Sequence, residues 1–137
     1  MALILIVDDD PMVRAIAIEL LRDDRHAILE AADGAQALAL MERMPVDLVI
    51  LDMLMPNLDG LETIQALKKR NASAKILAIS SGGILDSASL LRIAVTFGAD
   101  AAMQKPLRMS SLRGAVNRLL TPERSAGPSE ALAATRL

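Results

Sequence analysis

Four apolar runs in this 137-residue sequence each end in a side chain capable of chemistry. Asp8 and Asp9 follow the run 3–7, Asp52 follows 46–51, Ser80 follows 75–79, and Lys105 follows the weaker run 100–104. Runs of this length, rich in Val, Ile and Leu, mark strands buried on both faces. If the strands are parallel, their carboxyl ends share one edge of the sheet, which is where open α/β sheets bind ligands. Three carboxylates crowded on that edge repel and raise one another's pKa unless a cation lies among them. A hard divalent ion answers the repulsion, and Mg²⁺ takes one or two carboxylates together with waters and phosphate oxygens. A lysine and a hydroxyl facing such an ion would hold the remaining oxygens of a phosphoryl group. A carboxylate is also an established covalent acceptor of phosphate. Asp52 is therefore read as a nucleophile toward phosphorus.

The segments between these runs have helical patterning. Asp10 before Pro11 makes an N-cap with proline at the first helical position. The helix that follows carries Val13, Ile16, Ala17, Leu20 and Leu21 on one face, which leaves Met12, Ala15 and Ile18 more exposed. A second strand is expected at 26–31. Asp33-Gly34 opens a second helix with Ala37, Leu40, Met41 and Met44 inward. Leu61, Ile64 and Leu67 set the stripe of a third helix, closed by the cations of Lys68-Lys69-Arg70. A fourth helix over 85–97 ends at Gly98, a C′ glycine, and a fifth carries Leu112, Ala115, Val116 and Leu119. Strand and helix thus alternate five times, which predicts right-handed crossovers and a doubly wound parallel sheet covered on both faces. One domain over 1–120 is expected, followed by a mobile tail over 121–137 where Pro, Ser, Gly and charge replace the periodic pattern.

Composition narrows the function classes. The chain is 53% apolar and 23% charged, which describes a soluble globular protein, and no apolar run approaches bilayer-spanning length. Cysteine is absent, so disulfides and thiolate metal sites are excluded and a cytoplasmic setting is the natural expectation. A net charge of −2 and a single aromatic, Phe97, argue against a surface for nucleic acid. His26, the one histidine, has no second imidazole to form a metal pair with and is read as structural.

Val-Asp-Asp-Asp-Pro at 7–11, Leu-Asp-Met-Leu-Met-Pro-Asn-Leu-Asp-Gly at 51–60, Ile-Ser at 79–80 and Lys-Pro at 105–106 resemble the receiver domain of bacterial two-component response regulators. The resemblance covers residues 3–120. It implies the flavodoxin-like (βα)5 three-layer sandwich with strand order 2-1-3-4-5, for which chemotaxis receivers are a known example. It also implies that Asp52 is the phosphoacceptor and that Asp9, Asp52 and the backbone carbonyl of Leu54 ligate Mg²⁺, with Asp8 acting through water. Lys105 would pair with one phosphoryl oxygen. Ser80 would donate to another, and the backbone N–H of Ser81 would help to bind the group. The implied partner is a histidine kinase or histidine phosphotransferase, docking against the first helix at Met12 and Ile18. No nucleic acid, no membrane and no turnover of outside substrates are implied.

Two departures bear on output. The aromatic that receivers commonly carry three residues before the lysine is here Ala102, and the segment from Ser80 to Lys105 is a few residues longer than the common pattern. Leu54 and Gly82 occupy positions that tune self-hydrolysis in the family. Neither orients a water, so a slow-decaying phosphoaspartate is expected. Two alternatives stand beside a stand-alone receiver. One is a receiver fragment of a longer regulator. The other is a Mg²⁺-dependent phosphatase of the haloacid dehalogenase type, which wants an acid where Leu54 stands.

Overall fold

A computed structural model describes residues 1–55, 59–80 and 87–121. Five strands, β1 (Leu3–Val7), β2 (Ala27–Ala31), β3 (Leu48–Asp52), β4 (Lys75–Ser80) and β5 (Ala101–Gln104), form one parallel sheet in the order β2-β1-β3-β4-β5. The connecting helices are α1 (Pro11–Leu21), α2 (Gly34–Arg43), α3 (Gly60–Lys69), α4 (Ser87–Phe97) and α5 (Met109–Leu120). This is the flavodoxin-like α/β sandwich.

Successive side chains of a strand point to opposite faces, and the two cores follow that alternation. Ile4, Ile6, Leu48, Ile50, Leu77 and Ile79 pack on one side with Ala17 and Leu21 of α1 and Leu112, Ala115 and Val116 of α5. Leu5, Val7, Val49, Leu51, Ile76 and Ala78 pack on the other with residues of α2, α3 and α4. Every residue of β3 is buried, so this strand has no solvent face, and its sequence is continuously apolar up to Asp52.

The helix starts follow from capping. The side chains of Asp10, Asp33 and Asp59 accept from the N–H groups of Met12, Gln36 and Glu62 at 2.9, 2.8 and 2.9 Å. Gly98 ends α4 at φ 126°, in a region that disfavours side chains, as its place after the apolar stripe predicts. The amino edge of the sheet is tied by polar side chains. Asp47 Oδ2 accepts from Leu3 N–H and Asp100 Oδ2 from Ile76 N–H, both at 2.8 Å. His26 Nδ1 accepts from Ala2 N–H at 3.2 Å, a structural role.

Three expectations need revision. Ile18 is half-buried and packs against the α1/α5 core, whereas Ile16, expected inward, is 43% exposed. Both lie about 100° around the helix from Ala17, on opposite flanks, so periodicity alone leaves them equivalent. Which flank is covered depends on tertiary packing. Met44 is exposed because the chain turns extended there, at the C-cap of α2, while Leu38 is buried. Apart from Thr121, the expected tail over 121–137 lies outside the described residues.

Candidate functional site

The carboxyl ends of β1 and β3 are adjacent in the sheet, and each delivers an acid to its edge. Asp8 is wholly buried, Asp52 nearly so, and Asp9 is exposed. One carboxylate oxygen from each lies within 4.8 Å of the others. Lys105, just past β5, reaches over them. Its Nζ lies 2.8 Å from Asp8 Oδ2 and 3.6 Å from Asp52 Oδ2. Ser80 ends β4 with no exposed surface, and its carbonyl accepts from Lys105 N–H at 2.9 Å. Asp8, Asp9, Asp52, Ser80 and Lys105 therefore all meet the same edge. The main chain of Leu54 turns toward the site as well, its N–H donating to Asp52 Oδ1 at 3.2 Å. Ser81 lies outside the described residues.

The local chain is fitted closely around the nucleophile. A β-carbon on Gly60 would fall 2.6 Å from both the Asp52 carbonyl oxygen and Met53 Cα. The start of α3 thus rests directly on the backbone that carries Asp52, and only glycine allows it.

Electrostatics at this edge are unresolved within the protein itself. Burial, and then the charge of Asp8, push the Asp52 carboxyl up to about 6, against the pull of Lys105 and of the Leu54 N–H. Burial alone would lower the pKa of Lys105, but pairing with Asp8 and Asp52 outweighs it and holds the ammonium above its ordinary value. Asp8 Oδ1 accepts from Asp10 N–H at 2.9 Å. Asp8 Oδ2 is the one buried side-chain oxygen among the described residues with no hydrogen bond. Its partner is the Lys105 ammonium, an ion pair at 2.8 Å. Asp8 Oδ2, ion-paired with Lys105, lies beside two further carboxylates, and the three together form a donor set of hard oxygens that fits a hard divalent cation.

The model of the response regulator receiver domain family matches residues 4–117. The chain belongs to the response regulator receiver domains. The receiver is 31% identical to chemotaxis protein CheY of Halobacterium salinarum, over 86% of this chain and 96% of that one. It is also 31% identical to sporulation initiation phosphotransferase F of Bacillus subtilis, over 85% of this chain and 92% of that one. Among solved structures, the receiver domain of the Francisella response regulator 1452 superposes with a TM-score of 0.79 at 27% identity, covering 88% of this chain and 97% of that one. Receivers bind Mg²⁺ at an acidic pocket, and in this chain Asp8, Asp9 and Asp52 form an acidic group. Receivers are phosphorylated by histidine kinases or phosphotransferases.

Two further features of this receiver escape sequence reading. Arg14 reaches back from α1 to donate from Nη1 to the Asp8 carbonyl at 2.6 Å and from Nε to Glu30 Oε1 at 3.0 Å. No periodicity distinguishes it from a solvated arginine. An apolar groove of about 410 Å³ runs beside Lys105, lined by Val13, Ile16, Pro106 and Leu107. Met12, 65% exposed, stands at the start of the same helix. The exposed flank of α1 is thus the Ile16 side rather than the Ile18 side. Among the described residues no helix is long and apolar enough to cross a membrane.

Proposed function

We propose that this receiver accepts a phosphoryl group on Asp52 from a histidine kinase or histidine phosphotransferase and acts as a switched signalling module. The observation that carries the reading is the convergence of three carboxylates and Lys105 on one sheet edge, with the lysine ammonium 2.8 Å from Asp8 Oδ2. An Asp52 carboxylate oxygen attacks phosphorus, the phosphorus–nitrogen bond of the donor phosphohistidine breaks, and the bonding pair returns to the imidazole nitrogen. Asp9, Asp52 and the Leu54 carbonyl would hold Mg²⁺, with Asp8 contributing through water. The ion supplies charge neutralisation on the phosphoryl oxygens. Lys105 pairs with one phosphoryl oxygen, Ser80 donates to a second, and the Ser81 N–H adds a further donor.

The donor protein would dock on α1 with Met12 and Ile16 as apolar contacts, its side chains entering the groove beside Lys105. Ile18 packs inward and is not offered to it. The receiver turns over no outside substrate, works in the cytoplasm, and keeps its phosphoaspartate for long periods because Leu54 is apolar. Phosphorylation favours one of two arrangements around Ser80, a shift of population rather than a new fold. Incubation with a small acyl phosphate and Mg²⁺, read by intact mass, tests the chemistry. The expected result is a gain of one phosphate that is absent in Asp52→Ala. An unchanged mass in the parent protein would overturn the proposal.

A further inference from the structure

Arg14 touches neither a carboxylate oxygen of the acidic cluster nor the surface where a phosphoryl group would sit, yet it is held more firmly than a helix-surface arginine needs to be. Its side chain is 17% exposed. It sits one helical turn after the N-cap Asp10, where the backbone of the β1–α1 connection passes within its reach. The guanidinium makes two different bonds from one rigid plane, Nη1 to the Asp8 carbonyl and Nε to Glu30 of β2. That carbonyl belongs to the peptide joining Asp8 to Asp9, so fixing it fixes the direction in which both side chains leave the chain. The Asp8 N–H is held separately by the Ala31 carbonyl at 3.1 Å. The Asp8-Asp9 step is thus anchored to β2 by a backbone bond and through an arginine.

We propose that Arg14 is a positioning residue for the cation end of the site, with Glu30 balancing its charge. The inference rests on the functional reading above. Groups that orient metal-binding side chains commonly affect metal affinity as much as some ligands do. A bare guanidinium this close to the acidic cluster would oppose cation binding. Glu30 leaves the pair neutral, so orientation is gained without electrostatic repulsion. Loss of Arg14 frees the Asp8-Asp9 peptide to rotate and weakens cation binding. Loss of Glu30 leaves the bond to the carbonyl but uncovers a positive charge, which also weakens binding, and does so most at low ionic strength.

The test is direct Mg²⁺ titration by calorimetry on the whole chain, with no phosphodonor present. Arg14→Ala should weaken Mg²⁺ binding about tenfold. Arg14→Lys, which keeps the charge but loses the two-pronged plane, should recover only part of that loss. Glu30→Gln should show a smaller defect that shrinks as salt is added. Arg113→Ala, which removes an arginine paired with Asp24 away from the cluster, controls for general loosening and should leave Mg²⁺ affinity unchanged. A parent-like affinity in folded Arg14→Ala overturns the proposal, as does an equal loss in Arg113→Ala. If the parent protein binds Mg²⁺ but gains no phosphate, the functional reading fails while this comparison still decides the role of Arg14. If the parent binds no Mg²⁺, this inference fails.

Discussion

The two ends of the sheet use the same residue type to opposite effect. At the amino end, Asp47 and Asp100 each accept one backbone N–H from the first residues of a neighbouring strand, and their charges face solvent. At the carboxyl end, Asp8 and Asp52 are buried against each other and share the ammonium of one lysine. The first arrangement lowers the energy of the folded chain. The second raises it and holds that energy where a cation and a phosphoryl group can relieve it. An acid is structural or functional according to what it faces.

Removing the lysine of the carboxyl end should have the largest effect. Lys105→Ala is expected to slow phosphorylation of Asp52 by about 10²–10³, the usual cost of deleting one donor to a developing charge. Mass-detected phosphorylation rates would show it, and a loss under threefold would remove Lys105 from the chemistry. The next effect has the opposite sign. The Asp52 carboxyl is raised from 3.8 to about 6 in the fold. Its ionisation therefore costs nothing below pH 4, costs progressively more as pH rises to about 6, and is at full cost above that. Asp52→Asn should stabilise the metal-free protein by about 2–3 kcal/mol at pH 7.5 and by almost nothing at pH 4. Urea unfolding in a chelator at the two pH values is the measurement. Equal stabilisation at both would break the contrast between the two ends.

The amino end should behave in the reverse way. Asp100→Ala leaves the N–H of buried Ile76 unpaired and should destabilise by about 1–2 kcal/mol at neutral pH. Asp47→Ala, at a more open position, should cost about 0.5–1 kcal/mol. Neither should alter Mg²⁺ binding. A stability gain in either variant, seen by urea unfolding, would erase the distinction.

The sequence showed the carboxyl end far better than the surroundings that tune it. Asp8, Asp9, Asp52, Ser80 and Lys105 were legible because each interrupts an apolar run, and an interruption at a strand end has a position in any parallel sheet. The sheet order was legible only through the family resemblance, since alternation of strand and helix is compatible with more than one order. The α1 flanks were not legible. Ile16 and Ile18 are symmetric about the buried stripe, and only the packing of the neighbouring elements separates them. Arg14 was not legible either, because its two acceptors are a carbonyl and an acid sixteen positions away, and neither leaves a trace in periodicity. Leu38 and Met44 of α2 show a related limit. The helix ends one residue short of the last of its apolar positions, at Arg43, so Met44 leaves the stripe.

The bond from Lys105 N–H to the Ser80 carbonyl has a consequence for the entropy of signalling. Ser80 and Lys105 are the two residues expected to grip neighbouring phosphoryl oxygens, and the whole of α4 and β5 lies between them in sequence. Closing so long a loop costs configurational freedom that grows with its length. Here the backbone bond at the neck already holds the two ends of that loop together. A phosphoryl group that holds both residues therefore has little left to order. Its binding free energy would be available to reposition the Ser80 hydroxyl and the Lys105 ammonium rather than to bring their two segments together.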